Sequence, residues 1–180
     1  HHTQLLNRLV RDGLLTPVAP DAPRDRDADA SDAPEQGAAG APLKVTYHDA
    51  CFLGRHNRVY EPPRELVGSL PGVEPRNRER AMCCGAGGAH AWFEETRGTR
   101  IADARIAEAA QTGADVVATA CPFCSQMLGS ASGASAGFVS AEAVAPQADG
   151  ADSAAGEARR KLPEVRDVAV MLLEAVKRGQ

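Results

Sequence analysis

Apolar residues in this chain fall in short blocks whose spacing alternates between helical and strand-like. Leu5, Leu6, Leu9, Val10 and Leu14 recur at three- and four-residue intervals and predict an amphipathic helix that stops near Gly13. Leu43 to Tyr47 reads as a short buried strand. Pro62-Pro63 opens a helix that runs to about Leu70, and a short strand follows over Val73 to Arg76. Ala89 to about Thr112 reads as helical, with Ala102, Ile106 and Ala109 on one face, an interruption at Gly98 and Gly113 as its C-cap. Val116 to Ala120 is a second buried strand. Cys121 with Pro122 begins the next helix, since proline suits a first turn whose N–H has no helical partner anyway. Val168, Met171, Leu172, Ala175 and Val176 form the apolar face of a last helix.

Two stretches carry no periodicity. Residues 17–42 are rich in Ala, Asp, Pro and Gly, and residues 129–160 in Ala, Gly and Ser; both read as disordered. Strands separated by helices predict an α/β fold with a small, mostly parallel sheet flanked by helices. The organisation expected is an N-terminal helix over 1–16, a linker over 17–42 and one cysteine-rich domain over 43–180 that carries the 129–160 insert.

Composition changes this picture little. A chain of 180 residues can bury one core, but aromatic content is 4% and much of the 43% apolar content is alanine, so the core is expected to be small and helped by a metal site. Formal net charge is −4, and six acids against Arg24 and Arg26 place it in residues 17–42. Between Cys51 and Arg105 nine arginines face seven acids, a weak positive balance that suits an anionic group or an acidic partner, or simply a solvated mixed-charge surface. No basic tract with interleaved aromatics supports nucleic-acid binding. No apolar run approaches the ~20 residues of a membrane span, so any membrane attachment must come from elsewhere.

The chemistry lies in five cysteines: Cys51, the adjacent Cys83 and Cys84, and the Cys121-Pro122-Phe123-Cys124 motif. An odd number would leave a disulfide framework with an unpaired thiol, and consecutive Cα atoms, about 3.8 Å apart, are too close for an ordinary disulfide. A structural zinc ion needs only four ligands and leaves the fifth thiol unexplained. A thioredoxin-like dithiol uses Cys121 and Cys124 alone. An iron-sulfur site uses all five, because thiolates converging from distant loops are how proteins surround such clusters. Glycines follow the adjacent pair in Cys84-Gly85-Ala86-Gly87-Gly88, where positive φ and close backbone approach suit a bulky group whose sulfurs accept amide hydrogens. All three cysteine segments fall at strand ends or helix starts, the places where open parallel sheets bind anionic ligands.

These segments, Thr46-Tyr47-His48-Asp49-Ala50-Cys51-Phe52-Leu53-Gly54-Arg55-His56-Asn57, the Met82 to Gly88 loop and Ala118-Thr119-Ala120-Cys121-Pro122-Phe123-Cys124, resemble one copy of the cysteine-rich CCG domain of the heterodisulfide reductases and related iron-sulfur oxidoreductases. The resemblance covers about half the chain. It implies a [4Fe-4S] cluster, noncubane in the heterodisulfide reductases, on Cys51, Cys83, Cys84, Cys121 and Cys124, with zinc as the alternative. The chain is similar in particular to the C-terminal region of actinobacterial membrane-bound reductases, which implies an oxidoreductase that takes electrons from a flavoprotein toward quinone or to a disulfide-type substrate. Further implied are a larger N-terminal portion as partner and a cytoplasmic place at the inner face of the membrane. Ala50 stands where these relatives carry proline. The start at His1 is expected to mark a C-terminal fragment with native His1-His2.

His48 and His56 flank Cys51 and suit a proton relay, though the plainer reading is that they hold the ligand loop by hydrogen bonds. His90, Trp92 and Phe93 are expected to pack in the core, and Met82 beside the cluster.

Overall fold

The computed structural model describes residues 1–20, 41–76, 83–93, 98–132 and 162–180. Four strands, β1 (Leu43–Tyr47), β2 (Val73–Pro75), β3 (Val116–Thr119) and β4 (Glu164–Asp167), form one sheet in the order β2-β1-β3-β4. Every neighbouring pair is parallel: Leu43 pairs with Val73, Val45 with Val116 and Val116 with Glu164. Parallel neighbours need crossover connections. Helices α2 (Glu61–Gly68), α3 (Ile101–Gln111) and α4 (Pro122–Ala131) lie between successive strands, and α5 (Val168–Lys177) follows β4. The expected α/β fold with a small parallel sheet is the one observed.

Helices cover both faces of the sheet, so all of β3 is buried and its side chains alternate between two apolar layers. Val116, Ala118 and Ala120 join Val45 and Tyr47 in a layer with Leu66 and Val67 of α2 and Met171 and Leu172 of α5. Val117 faces the other layer with Ile106 and Ala109 of α3, Leu128 of α4, Cys84 and Cys124. The second layer is therefore core and cysteine site at once.

An additional helix, α1 (His2–Arg11), lies on α2, where Asn7 Nδ2 donates to Glu65 Oε2 at 2.6 Å. Thr3 and Asn7 are its buried residues, and Leu6 and Val10 pack on the core, while Leu5 and Leu14 are exposed. The expected leucine stripe is thus split: Leu5 and Leu6 are one residue apart and point to different sides of the helix. After α1 the chain stays bound to α5, with Val18 N–H donating to Ala175 O at 2.9 Å and Arg178 Nε to Val18 O at 3.1 Å. Residues 21–40 of the expected linker lie outside the described residues.

Two expected boundaries move. The helix anticipated over Ala89–Thr112 is not continuous: Gly87–Trp92 form a short 3-10 segment broken by φ of 66° at Gly88 and 65° at Ala89, and α3 begins only at Ile101. Left-handed residues cannot belong to a right-handed helix. The end of α3 falls where expected, with Gly113 at φ 69° just beyond it. Conversely, α4 runs through Ala131 with Leu128 and Gly129 buried, so the start of the stretch read as disordered is helical. Residues 133–161 lie outside the described residues.

Candidate metal centre

In this strand order the chain leaves β1 toward β2 on one side and later fills β3 and β4 on the other. The connections therefore diverge between β1 and β3, and ligands of open parallel sheets bind beyond the carboxyl ends of the strands at such a point. From β1 the chain continues through His48, whose N–H donates to Ala118 O at 2.7 Å and prolongs the ladder by one residue. Asp49 is held by Arg64 of α2 at 2.6 Å. Cys51 follows at the start of a π-helical turn, Phe52–His56, whose Gly54 lies so close to Tyr60 that a Cβ would come within 2.7 Å of its ring. From β3 the chain runs through Ala120 into Cys121, the N-cap of α4, with Pro122 and Cys124 in the first turn. The Cys121 side chain makes no capping bond, which leaves the helix N-terminus open toward anionic groups.

The buried sulfurs of Cys84 and Cys124 meet, with Cys124 Sγ donating to Cys84 Sγ at 3.4 Å. A ring nitrogen of buried His48 and these two sulfurs all lie within 4.8 Å of one another. The hydrogen bond from Cys124, helped by His48 and the backbone of Ala86, pulls the Cys84 thiol down to about 4 against the opposing effect of burial. The same shared proton, then burial and the nearness of Cys84 and Cys121, push the Cys124 thiol up. Cys83 is half-buried and its sulfur accepts from Gly85 N–H at 3.4 Å. Gly85 sits at φ 92°, and a Cβ there would meet Ile101 Cβ at 3.2 Å. Cys51 is also half-buried, between Ala50 and Leu53, which pack in the same layer as Cys84 and Cys124. Cys84, Cys121, Cys124 and His48 thus come together, while Cys51 and Cys83 sit on the segments that frame them.

Residues 45–129 match the family model of a cysteine-rich domain, CCG. This chain carries a CCG domain. Relatives of the domain include the "Probable iron-sulfur-binding oxidoreductase FadF" of Bacillus subtilis, 40% identical over 72% of this chain and 16% of the relative. The EtfAB:quinone oxidoreductase of Syntrophomonas wolfei is 34% identical over 71% of this chain and 16% of its own length. A component of the dihydromethanophenazine:CoB–CoM heterodisulfide reductase of Methanosarcina acetivorans is 44% identical over 47% of this chain and 22% of that component. The chain therefore spans only a small part of the relatives it matches.

The CCG domain fits a thiolate-bound metal group on its own chemistry. Its converging donors are soft sulfurs, of which Cys84 and Cys124 are sheltered from water, and Cys84 is already drawn toward the thiolate form. Thr119 Oγ1 and Ser125 Oγ, which bracket Cys121 and Cys124 in the chain, are buried with no hydrogen-bond partner among the described residues, as donors awaiting sulfur acceptors would be. Of the lone residues, His48 is buried at the sulfurs, whereas His56 is exposed and stacks loosely with Phe52, ring centroids 6.1 Å apart. The expectation that His90, Trp92 and Phe93 pack in the core is wrong: His90 is exposed, as are Trp92 at 74% and Phe93 at 70%, because the positive-φ residues turn this segment outward. Met82 lies outside the described residues.

Sequence reading missed Arg105. It is 1% exposed, its Nε donates to His48 Nδ1 at 3.3 Å, and its guanidinium pairs with Glu108. The signal was its place on α3, whose buried residues are Ala102, Arg105, Ile106 and Ala109.

Proposed function

We propose that this domain holds a [4Fe-4S] cluster on Cys51, Cys83, Cys84, Cys121 and Cys124 and serves as an electron-transfer element of a larger oxidoreductase. The observation that supports this most is the meeting of the buried Cys84 and Cys124 sulfurs at 3.4 Å, at the divergence point of a parallel sheet. When bound, such a cluster supplies one-electron redox chemistry at a potential set by hydrogen bonds, charge and burial. The chain's own residues supply the rest: β1 and β3 set the spacing of the cysteine loops, the Gly85 turn brings backbone N–H groups to the sulfurs, and the apolar layer of α3 and α4 keeps water from Cys84 and Cys124. The names of the relatives favour electrons arriving from a flavoprotein and leaving toward quinone, with a disulfide-type substrate as the second acceptor class. Quinone chemistry implies a working complex at the inner face of the cell membrane. Among the described residues no helix is long and apolar enough to cross it, so that anchorage is assigned to other parts of the protein.

A zinc-stabilised docking module is the second reading, because one histidine and two cysteines within 4.8 Å also suit tetrahedral zinc. Anaerobic purification with iron, sulfide and zinc analysis, alongside electron paramagnetic resonance of oxidised and reduced protein, separates the two. About four irons and four sulfides with a redox-responsive signal are expected. One zinc and no sulfide would replace the electron-transfer reading. Cys83→Ser and Cys84→Ser are each expected to lose or remodel the cluster, and unchanged iron in both would refute the five-ligand assignment.

A further inference from the structure

We propose that Arg105 is a positioning residue that fixes His48 as an Nε2–H donor toward the Cys84 sulfur, so that His48 is a hydrogen-bond partner of the metal group and not one of its ligands. Arginine carries donors only and stays charged, so the 3.3 Å contact from Arg105 Nε makes His48 Nδ1 the acceptor. A neutral imidazole whose Nδ1 accepts must carry its proton on Nε2. A ring nitrogen of His48 lies within 4.8 Å of the Cys84 and Cys124 sulfurs, and His48 is hydrogen-bonded to Cys84; with Nδ1 accepting from Arg105, Nε2 is the nitrogen left to donate that bond. The ring is held at both ends. Its backbone is pinned by the bond to Ala118 O, and its far nitrogen is held by an arginine buried to 1% exposure and braced by Glu108. A hydrogen bond to a cluster sulfur stabilises the more negative, reduced state, so this donor should raise the reduction potential.

The electrochemical part rests on the cluster reading; the tautomer does not. Nitrogen-15 histidine spectra of the reduced, iron-free 180-residue chain should show His48 neutral and protonated at Nε2, and Arg105→Lys, which keeps the charge but not the fork, should populate the other tautomer. A wild-type Nδ1–H ring would overturn the proposal. In the anaerobically purified chain, after iron and sulfide are counted, redox titration followed by electron paramagnetic resonance should give a lower midpoint potential for His48→Leu. His48→Gln, which restores an N–H near Nε2, should return toward wild type. Arg105→Lys should lower the potential in the wild-type background but not in the His48→Leu background. An equal shift in both backgrounds would make Arg105 a mere structural or charge effect, and loss of iron in His48→Leu would make His48 a ligand; either overturns the pair. Wild-type protein without iron would defeat the proposed function, while the nitrogen spectra would still decide the tautomer.

Discussion

Cys84 and Cys124 share one proton across 3.4 Å, and that proton makes the metal-free fold sensitive to pH. A thiol of ordinary value 9.0 is held at about 4 in Cys84, so between these values the unfolded chain binds a proton that the folded chain has released. The Cys84 contribution therefore strengthens as pH rises from about 4 toward 9 and is lost as pH falls through about 4; Cys124, raised above 9.0, acts against folding once pH passes that value. Denaturant midpoints of the iron-free chain should rise between about pH 5 and 8, and Cys84→Ser should flatten that slope. An equal slope in the variant would mean that no thiolate is present. The five cysteines are legible in the sequence because thiols are scarce and their spacing speaks for itself. Arg105 is harder to read, since an arginine on an apolar stripe usually covers the surface with its stem and keeps its head in water. Only the fold shows that here the head is buried against His48.

Among the elements, α4 does two jobs: its first turn carries Cys124, and its second buries Leu128 completely in the layer with Ile106 and Val117. Leu128→Ala should cost about 2–5 kcal/mol by urea unfolding. It should also weaken retention of iron, because the cavity opens in the layer that holds Cys84 and Cys124; a large loss of stability with iron retention unchanged would separate site from core. Strands β1 and β3 are readable as runs of apolar residues buried on both sides. β4 is not, since Glu164, Arg166 and Asp167 surround a single apolar Val165, and its pairing with β3 outweighs a weak local preference. The start of α3 is similarly hidden. Alanine-rich sequence favours helix throughout the region, but the left-handed φ values at Gly88 and Ala89 break it and turn the segment outward before α3 begins at Ile101.

At the scale of the whole molecule, α1 belongs to the fold although residues 21–40 separate it from β1. Leu6, Val10 and Leu15 pack on the layer of α2 and α5, and Asn7 and Val18 add directed bonds. Removing residues 1–20 should lower the thermal midpoint by several degrees, because the uncovered apolar side of α2 and α5 would face water. An unchanged midpoint would mark α1 as a separable appendage.

The strand order also dictates when the site can exist. β1 leaves the ribosome first, yet its partners in the sheet are β2 and, much later, β3, and no two strands that are close in the chain can pair without a crossover. Cys51, Cys83 and Cys84 are thus synthesised long before the strand that brings Cys121 and Cys124 beside them, and β3 completes its own pairing only when β4 arrives. Slow, long-range closure of this kind means that the early cysteines wait as exposed thiols. Iron and sulfide delivered before β3 and β4 are made would meet an incomplete set of the proposed donors, so insertion of the proposed cluster belongs late in the folding of this domain.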